Sequence, residues 1–356
     1  RRTQISEQEA TEFTEEDLIP HQEVVVTLSQ RGYIKRVPAD TYRRQRRGGR
    51  GILGMVTREQ DAVYRLIVTD THAGLLVFTN RGKVYQIKCH EVPDTSRQGR
   101  GLPIVHLLNL GQDEHVTEIV PVEEFGDASF LIMATRLGEV KKTSVKDFAQ
   151  VRSSGLIAMD LEPGDDLVSA RAASDGDDIL LITAQAQAVR FPVRSLRTAS
   201  RQSGGVRGIR LAPNDHVVAM EVALPGADLL VISSNGFGKR TPVAEFPIHS
   251  RGGSGVMAMR LVERNGPIVA VRVVWPLQEL MLISQKGIVI RTSIESVSRI
   301  GRITQGVTVM GLDPGDQVVS IACFNGQRGD GATQIELPTE METDEDDDDE
   351  TPDDSA

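Results

Sequence analysis

Residues Val24 to Val37 read VVVTLSQRGYIKRV, and this stretch decides the fold. Side chains of an extended chain point alternately to opposite sides, so the alternation in Val25, Thr27 and their neighbours predicts a strand with one buried face. The polar run Ser29-Gln30-Arg31-Gly32 then interrupts it, and a second alternating stretch begins at Tyr33. A Ser or Thr, a short polar turn and a glycine between two such stretches predict a β-hairpin.

The same pattern returns five times. It appears as LLVFTNRGKVYQIK (Leu75 to Lys88), FLIMATRLGEVKKT (Phe130 to Thr143) and ILLITAQAQAVRFP (Ile179 to Pro192). It appears again as LLVISSNGFGKRTP (Leu229 to Pro242) and LMLISQKGIVIRTS (Leu280 to Ser293). The turn residues align as Gly32, Gly82, Gly138, Ala186, Gly236 and Gly287. Their spacing gives a period of about 50 residues, the size of one propeller-like blade. Ala186 departs from the pattern and is expected to be strained if its turn needs a positive φ.

After each hairpin come a Gly- and Arg-rich loop and another apolar stretch, such as Val217 to Met220 or Val318 to Ile321. That predicts four strands per repeat and some two dozen in all. Six small antiparallel sheets bury their faces best by stacking radially. The expected fold is therefore all-β, a propeller-like disc or spiral of four-stranded blades with small cores between them. Composition agrees: aromatic residues make up 4 %, and the chain holds 33 glycines, which favours many turns over one bulky core.

The formal net charge of −10 conceals a basic body. Residues 1–23, read as an acidic linker stretch, carry about 7 acidic and 2 basic residues. Residues 336–356, read as a disordered acidic tail, carry about 12 acidic residues and no basic ones. The remainder, residues 24–335, holds about 38 basic against 31 acidic residues, a balance that suits a polyanionic partner. The tail run Asp344 to Glu350 is either a solubilising extension or a competitor of that polyanion. Cys89 and Cys323 have no Cys or His neighbour at metal-ligand spacing, and reduced thiols in a cytoplasmic protein are expected. No apolar run of about 18 residues and no signal peptide is present, and the missing initiator Met suggests a piece of a longer protein.

The loops carry the chemistry. The first repeat contains Gln45-Arg46-Arg47-Gly48-Gly49-Arg50-Gly51. Guanidinium forks bind phosphate oxygens in bidentate fashion, and glycines let a backbone approach closely. Related loops recur in phase around Arg97 and Arg100, Arg152, Arg201 with Arg207 following, Arg251, and Arg299 with Arg302. On a disc, equivalent loops share one rim, and a ring of phosphate clamps is a track for bent double-stranded DNA. Basic residues just past each turn are expected to add to it: Lys35 and Arg36, Lys141 and Lys142, Lys239 and Arg240. Nothing in the loops calls for reading of base edges, so binding without sequence specificity is expected.

The Gln45 to Gly51 stretch resembles the box of DNA gyrase A C-terminal domains, usually QRRGGKG, with Arg50 in place of Lys. RQGRGLPIVHLL (Arg97 to Leu108), GVRGIRL (Gly205 to Leu211), GKRTPVAEFP (Gly238 to Pro247) and GRITQGV (Gly301 to Val307) are similar to the same family. The likeness runs roughly from Glu23 to Cys323. It implies a six-bladed β-pinwheel whose blades exchange strands. It implies DNA wrapping of positive handedness, used by a heterotetramer of gyrase A with gyrase B to introduce negative supercoils with ATP. It also implies that strand cleavage, ATP and Mg²⁺ belong to other parts of that assembly. The sequence itself shows no nucleotide-binding loop and no metal-binding His pattern, so no cofactor or metal is expected here. The matching domain of topoisomerase IV is an alternative, but it usually lacks an intact box. A protein-binding β-propeller scaffold is another, and it leaves the in-phase Arg/Gly loops unexplained.

Overall fold

The computed structural model describes residues 18–29, 31–41, 52–53, 63–96, 98–121, 130–151 and 154–325. Most of the acidic stretch 1–23 and all of the tail 336–356 lie outside the described residues. Within the described residues, 24 strands form six four-stranded antiparallel sheets arranged as the blades of a ring. The first sheet runs from Val63–Asp70 through Glu23–Ser29 and Tyr33–Pro38 to Leu102–Pro103. Its outermost strand thus comes from the second repeat. Leu156–Ile157, Val206–Arg207, Val256–Met257 and Val307–Thr308 are passed back to the preceding sheet in the same way. Ile52–Leu53 of the first repeat completes the sixth sheet, with Ile288 opposite Leu53 and Val289 opposite Ile52. The exchange therefore closes the circuit, and the borrowed strand covers what would otherwise be an open sheet edge.

The hairpin turns are built alike. In each, the turn residue donates its N–H to the carbonyl of the Ser or Thr three positions earlier, from Gly32 to Ser29 (2.9 Å) through Gly287 to Ser284 (2.9 Å). That hydroxyl often closes the turn further, as Ser29 Oγ does by accepting the Tyr33 N–H at 3.0 Å. All six turn residues have positive φ, and Ala186, at 62°, bears the strain expected of it. The conformation aims the turn carbonyl at the next repeat. The Ala158 N–H reaches Gly82 O at 2.8 Å, and Ala258 reaches Ala186 O at 2.8 Å. The turn thus serves local geometry and blade-to-blade attachment together.

Among the described residues, six separate clusters of buried apolar side chains fill the seams between neighbouring blades, including the seam of the last with the first, where Val25, Val37 and Leu66 meet Met281, Ile283 and Ala322. Central strands therefore pack on both faces, and Asp228–Ser233 is buried at every position. This corrects the expectation of a single buried face: a blade has a neighbour on each side.

The inner strands of successive blades touch around the axis. Here Glu118, Arg171, Glu221 and Arg272 form a ladder of ion pairs across four blades. The separations are 3.0 Å from Arg171 to Glu118, 2.8 Å from Arg171 to Glu221 and 2.6 Å from Arg272 to Glu221. Both carboxylates are buried, so each depends on its guanidinium partner for the solvation it has lost.

Candidate nucleic-acid interface

The described Arg/Gly loops lie on the outer edge, each leading into a borrowed strand. Successive loops are joined. Arg201 Nη1 donates to Ile157 O at 3.4 Å, Arg251 Nη1 to Arg207 O at 3.2 Å, and Arg302 Nη1 to Met257 O at 3.1 Å. Backbone bonds run beside them, from Gly252 N to Gly208 O (2.6 Å) and from Arg210 N to Gly253 O (2.9 Å). From the third repeat to the sixth, the loops thus follow one another along a single edge, as a continuous belt requires.

Several predicted cations stand on this belt. Arg207, Arg251 and Arg299 are exposed, and Arg201 and Arg302 are half-buried with their guanidinium groups at the edge. Arg100 is half-buried, its guanidinium stacked 3.6 Å above the Tyr33 ring. Arg299 is partly neutralised, because its Nε donates to both Asp228 carboxylate oxygens at 2.9 and 3.0 Å. Gln45, Arg46, Arg47, Gly48, Gly49, Arg50, Gly51, Arg97 and Arg152 lie outside the described residues.

The basic residues just past the turns are placed differently. Lys35, Lys141, Lys142, Lys239 and Arg240 are buried, and the expectation that they present cations on the rim does not hold. Lys35 Nζ donates to Gly99 O (2.8 Å) and Ser96 O (3.3 Å). Lys141 Nζ donates to Arg201 O (2.6 Å), Ser203 O (2.8 Å) and Ala158 O (2.9 Å). Lys239 Nζ donates to Gly301 O (2.7 Å) and Thr304 Oγ1 (3.2 Å). Burial pushes the Lys141 and Lys239 ammonium groups down to about 8. Lys142 pairs with Asp175 over the Phe130 ring. Arg240 pairs with Asp228 at 3.1 Å and donates to Val297 O at 2.9 Å. Arg36 is half-buried; its Nε and Nη1 have no hydrogen-bond partner among the described residues. The first blade has Val24 where the fifth has Asp228, which accounts for this missing partner.

Other exposed cations were not singled out by the loop motif. Arg210 and Arg260 each follow the last loop glycine by five positions, and Arg194 and Arg197 lie before the fourth-repeat loop. The common offset of Arg210 and Arg260 in GVRGIRL and GVMAMRL is a signal that could have found them. Exposed Leu102, Ile157, Val206 and Met257 on the borrowed strands add apolar contact surface between the cations.

Known proteins share this architecture. A family model described as "DNA gyrase C-terminal domain, beta-propeller" matches six segments, residues 23–70, 75–123, 129–174, 177–223, 227–274 and 278–325, one for each blade. The DNA gyrase A subunit of Dehalogenimonas lykanthroporepellens is 46 % identical over 329 residues, which is 90 % of this chain and 40 % of the relative. That of Halalkalibacterium halodurans is 50 % identical over 322 residues, 90 % of this chain and 38 % of the relative. The chain therefore spans about 40 % of the length of these relatives. A solved structure of a DNA gyrase A C-terminal domain superposes with a TM-score of 0.78 at 27 % identity, covering 85 % of this chain and all of that one. The C-terminal domain of DNA topoisomerase IV shares the fold, with a TM-score of 0.63 at 22 % identity over 86 % of this chain and 94 % of that one. Because the family model covers all six repeats, the chain belongs to the DNA gyrase C-terminal domain family.

Proposed function

We propose that this domain binds duplex DNA without sequence specificity and wraps it along the outer belt, as the C-terminal part of gyrase A. The observation that carries the reading is the loop-to-loop continuity from Ile157 and Arg201 to Met257 and Arg302. Bending duplex DNA over tens of base pairs costs several kcal/mol, and a line of charge-assisted phosphate contacts offsets it. The Gln45 to Gly51 box directly precedes Ile52–Leu53, the strand that joins the first repeat to the sixth sheet. Phosphate contacts from the box would extend the belt across that seam.

In this reading the domain makes and breaks no covalent bond. It delivers a bent segment to the rest of gyrase A and to gyrase B. That assembly performs ATP-driven strand passage and introduces negative supercoils into bacterial DNA in the cytoplasm. The intact box, with Arg50 for Lys, favours a gyrase role over a topoisomerase IV role. Measured binding of a duplex of about 100 base pairs should weaken steeply with salt, since each neutralised phosphate lowers log K by about 0.9 per decade. Binding indifferent to salt between about 50 and 200 mM contradicts the reading.

A further inference from the structure

Three positions past each turn residue, the six repeats carry Lys35, Tyr85, Lys141, Val189, Lys239 and Ile290. All six are buried. Lysine alternates with an aromatic or aliphatic residue around the ring. Each lysine reaches out of its own repeat into the Arg/Gly loop of the next, so the loops of repeats two, four and six are held from beneath by an ammonium group. The loops of repeats three and five rest on other side chains at that position. Gly155 of the third repeat packs on the Tyr85 ring, and Gly255 of the fifth packs on Val189. Backbone approach is equally close at one loop of each set. A Cβ at Gly101 would lie 2.3 Å from Ile34 O, and one at Gly255 would lie 2.3 Å from Ala188 O. What distinguishes the two sets is the buried charge.

An ammonium bonded to two loop carbonyls does two things. It fixes the loop backbone, and it turns those oxygens away from the outer surface, where they would repel a phosphate. Removing acceptors from that side leaves the loop's outer face to N–H groups and guanidinium forks. A loop fixed in this way also loses less freedom when it binds.

We propose that Lys35, Lys141 and Lys239 are positioning residues that preset alternate rim loops for phosphate, so that DNA meets rigid contacts at every second blade and adaptable ones between. This inference rests on the reading of the belt as a DNA track. The lysines act through the loops and touch no DNA.

The test uses the full chain and a nicked plasmid circle ligated in the presence of saturating protein, with the linking-number change read per bound domain. The variant is Lys141→Met with Lys239→Met, because the apolar Val189 and Ile290 already occupy the equivalent site in sister blades. Ile290→Val serves as control. The proposal expects a folded variant whose amides in residues 200–205 and 301–306 exchange at least about tenfold faster and whose linking-number change falls by about half, with the control unchanged. A folded variant that shifts linking number as the wild type does overturns the proposal, whatever its melting temperature. If the Met variant fails to fold, Lys141→Gln with Lys239→Gln, which keeps donors and removes charge, is judged by the same two outcomes. A wild-type chain that leaves linking number untouched overturns the DNA-track reading and this inference together. A wild type that shifts it, beside variants that shift it equally, overturns the inference alone.

Discussion

The guanidinium of Arg251 donates to the carbonyl oxygen of Arg207, 3.2 Å away and 44 residues earlier, which sets two exposed cations of successive blades side by side. Two like charges on adjoining loops repel each other unless an anion lies between them. Replacing Arg207, Arg251 and Arg302 singly by Gln should each reduce the slope of log K against log salt by about 1. Stability should change by no more than about 0.5 kcal/mol, as for other surface substitutions. An unchanged salt slope in all three removes these arginines from the interface.

Ala186 holds a left-handed conformation at φ 62° that glycine occupies in the other five turns. Ala186→Gly should stabilise the protein by about 1 kcal/mol, read as a higher denaturant midpoint. Gly236→Ala should do the reverse and by more, because its Cβ would lie 2.3 Å from Met310 O. If Ala186→Gly destabilises, strain at this turn is not what the residue contributes.

The hairpins and their period were legible in the sequence because a Ser or Thr three positions before a left-handed residue must recur wherever the same turn is made. Ala186 was readable as an exception for the same reason. The strand exchange was not legible from periodicity. Leu102–Pro103 and Val206–Arg207 are two residues long, too short to show alternation, and their partners sit in another repeat. Lys35, Lys141 and Lys239 were misplaced because lysine ordinarily marks solvent. Only the packing of blades on both faces, with loop carbonyls converging above, makes a buried ammonium tolerable there.

Glu221 bridges Arg171 and Arg272 at the axis and is almost wholly buried. Glu221→Gln takes a shared, buried counter-charge from the half-buried Arg272 and leaves the half-buried Arg171 with Glu118 alone, and should cost about 3 kcal/mol in urea unfolding. A loss below about 1 kcal/mol would place the ladder in a wetter environment than its burial indicates.

Burial holds Lys141 and Lys239 at about 8 in the folded protein, against an ordinary value of 10.5. Between these values the unfolded chain binds more protons than the folded one, so their contribution to stability rises with pH across that interval. The cost of keeping both charged is full below about pH 8 and is relieved above it. Denaturant midpoints at about pH 7.5 and 9.5 should therefore shift upward more in the wild type than in Lys141→Met with Lys239→Met. A wild-type shift that is smaller than the variant's contradicts the assignment.

The central claim is that the belt curls DNA with a fixed hand, and linking number reports this most directly. Ligating nicked circles with increasing amounts of the chain should move the topoisomer distribution steadily in the positive direction, in proportion to bound protein, and the shift should vanish at high salt. Circles that are bound, yet ligate to the same distribution as free DNA, would show that the belt holds the duplex without wrapping it.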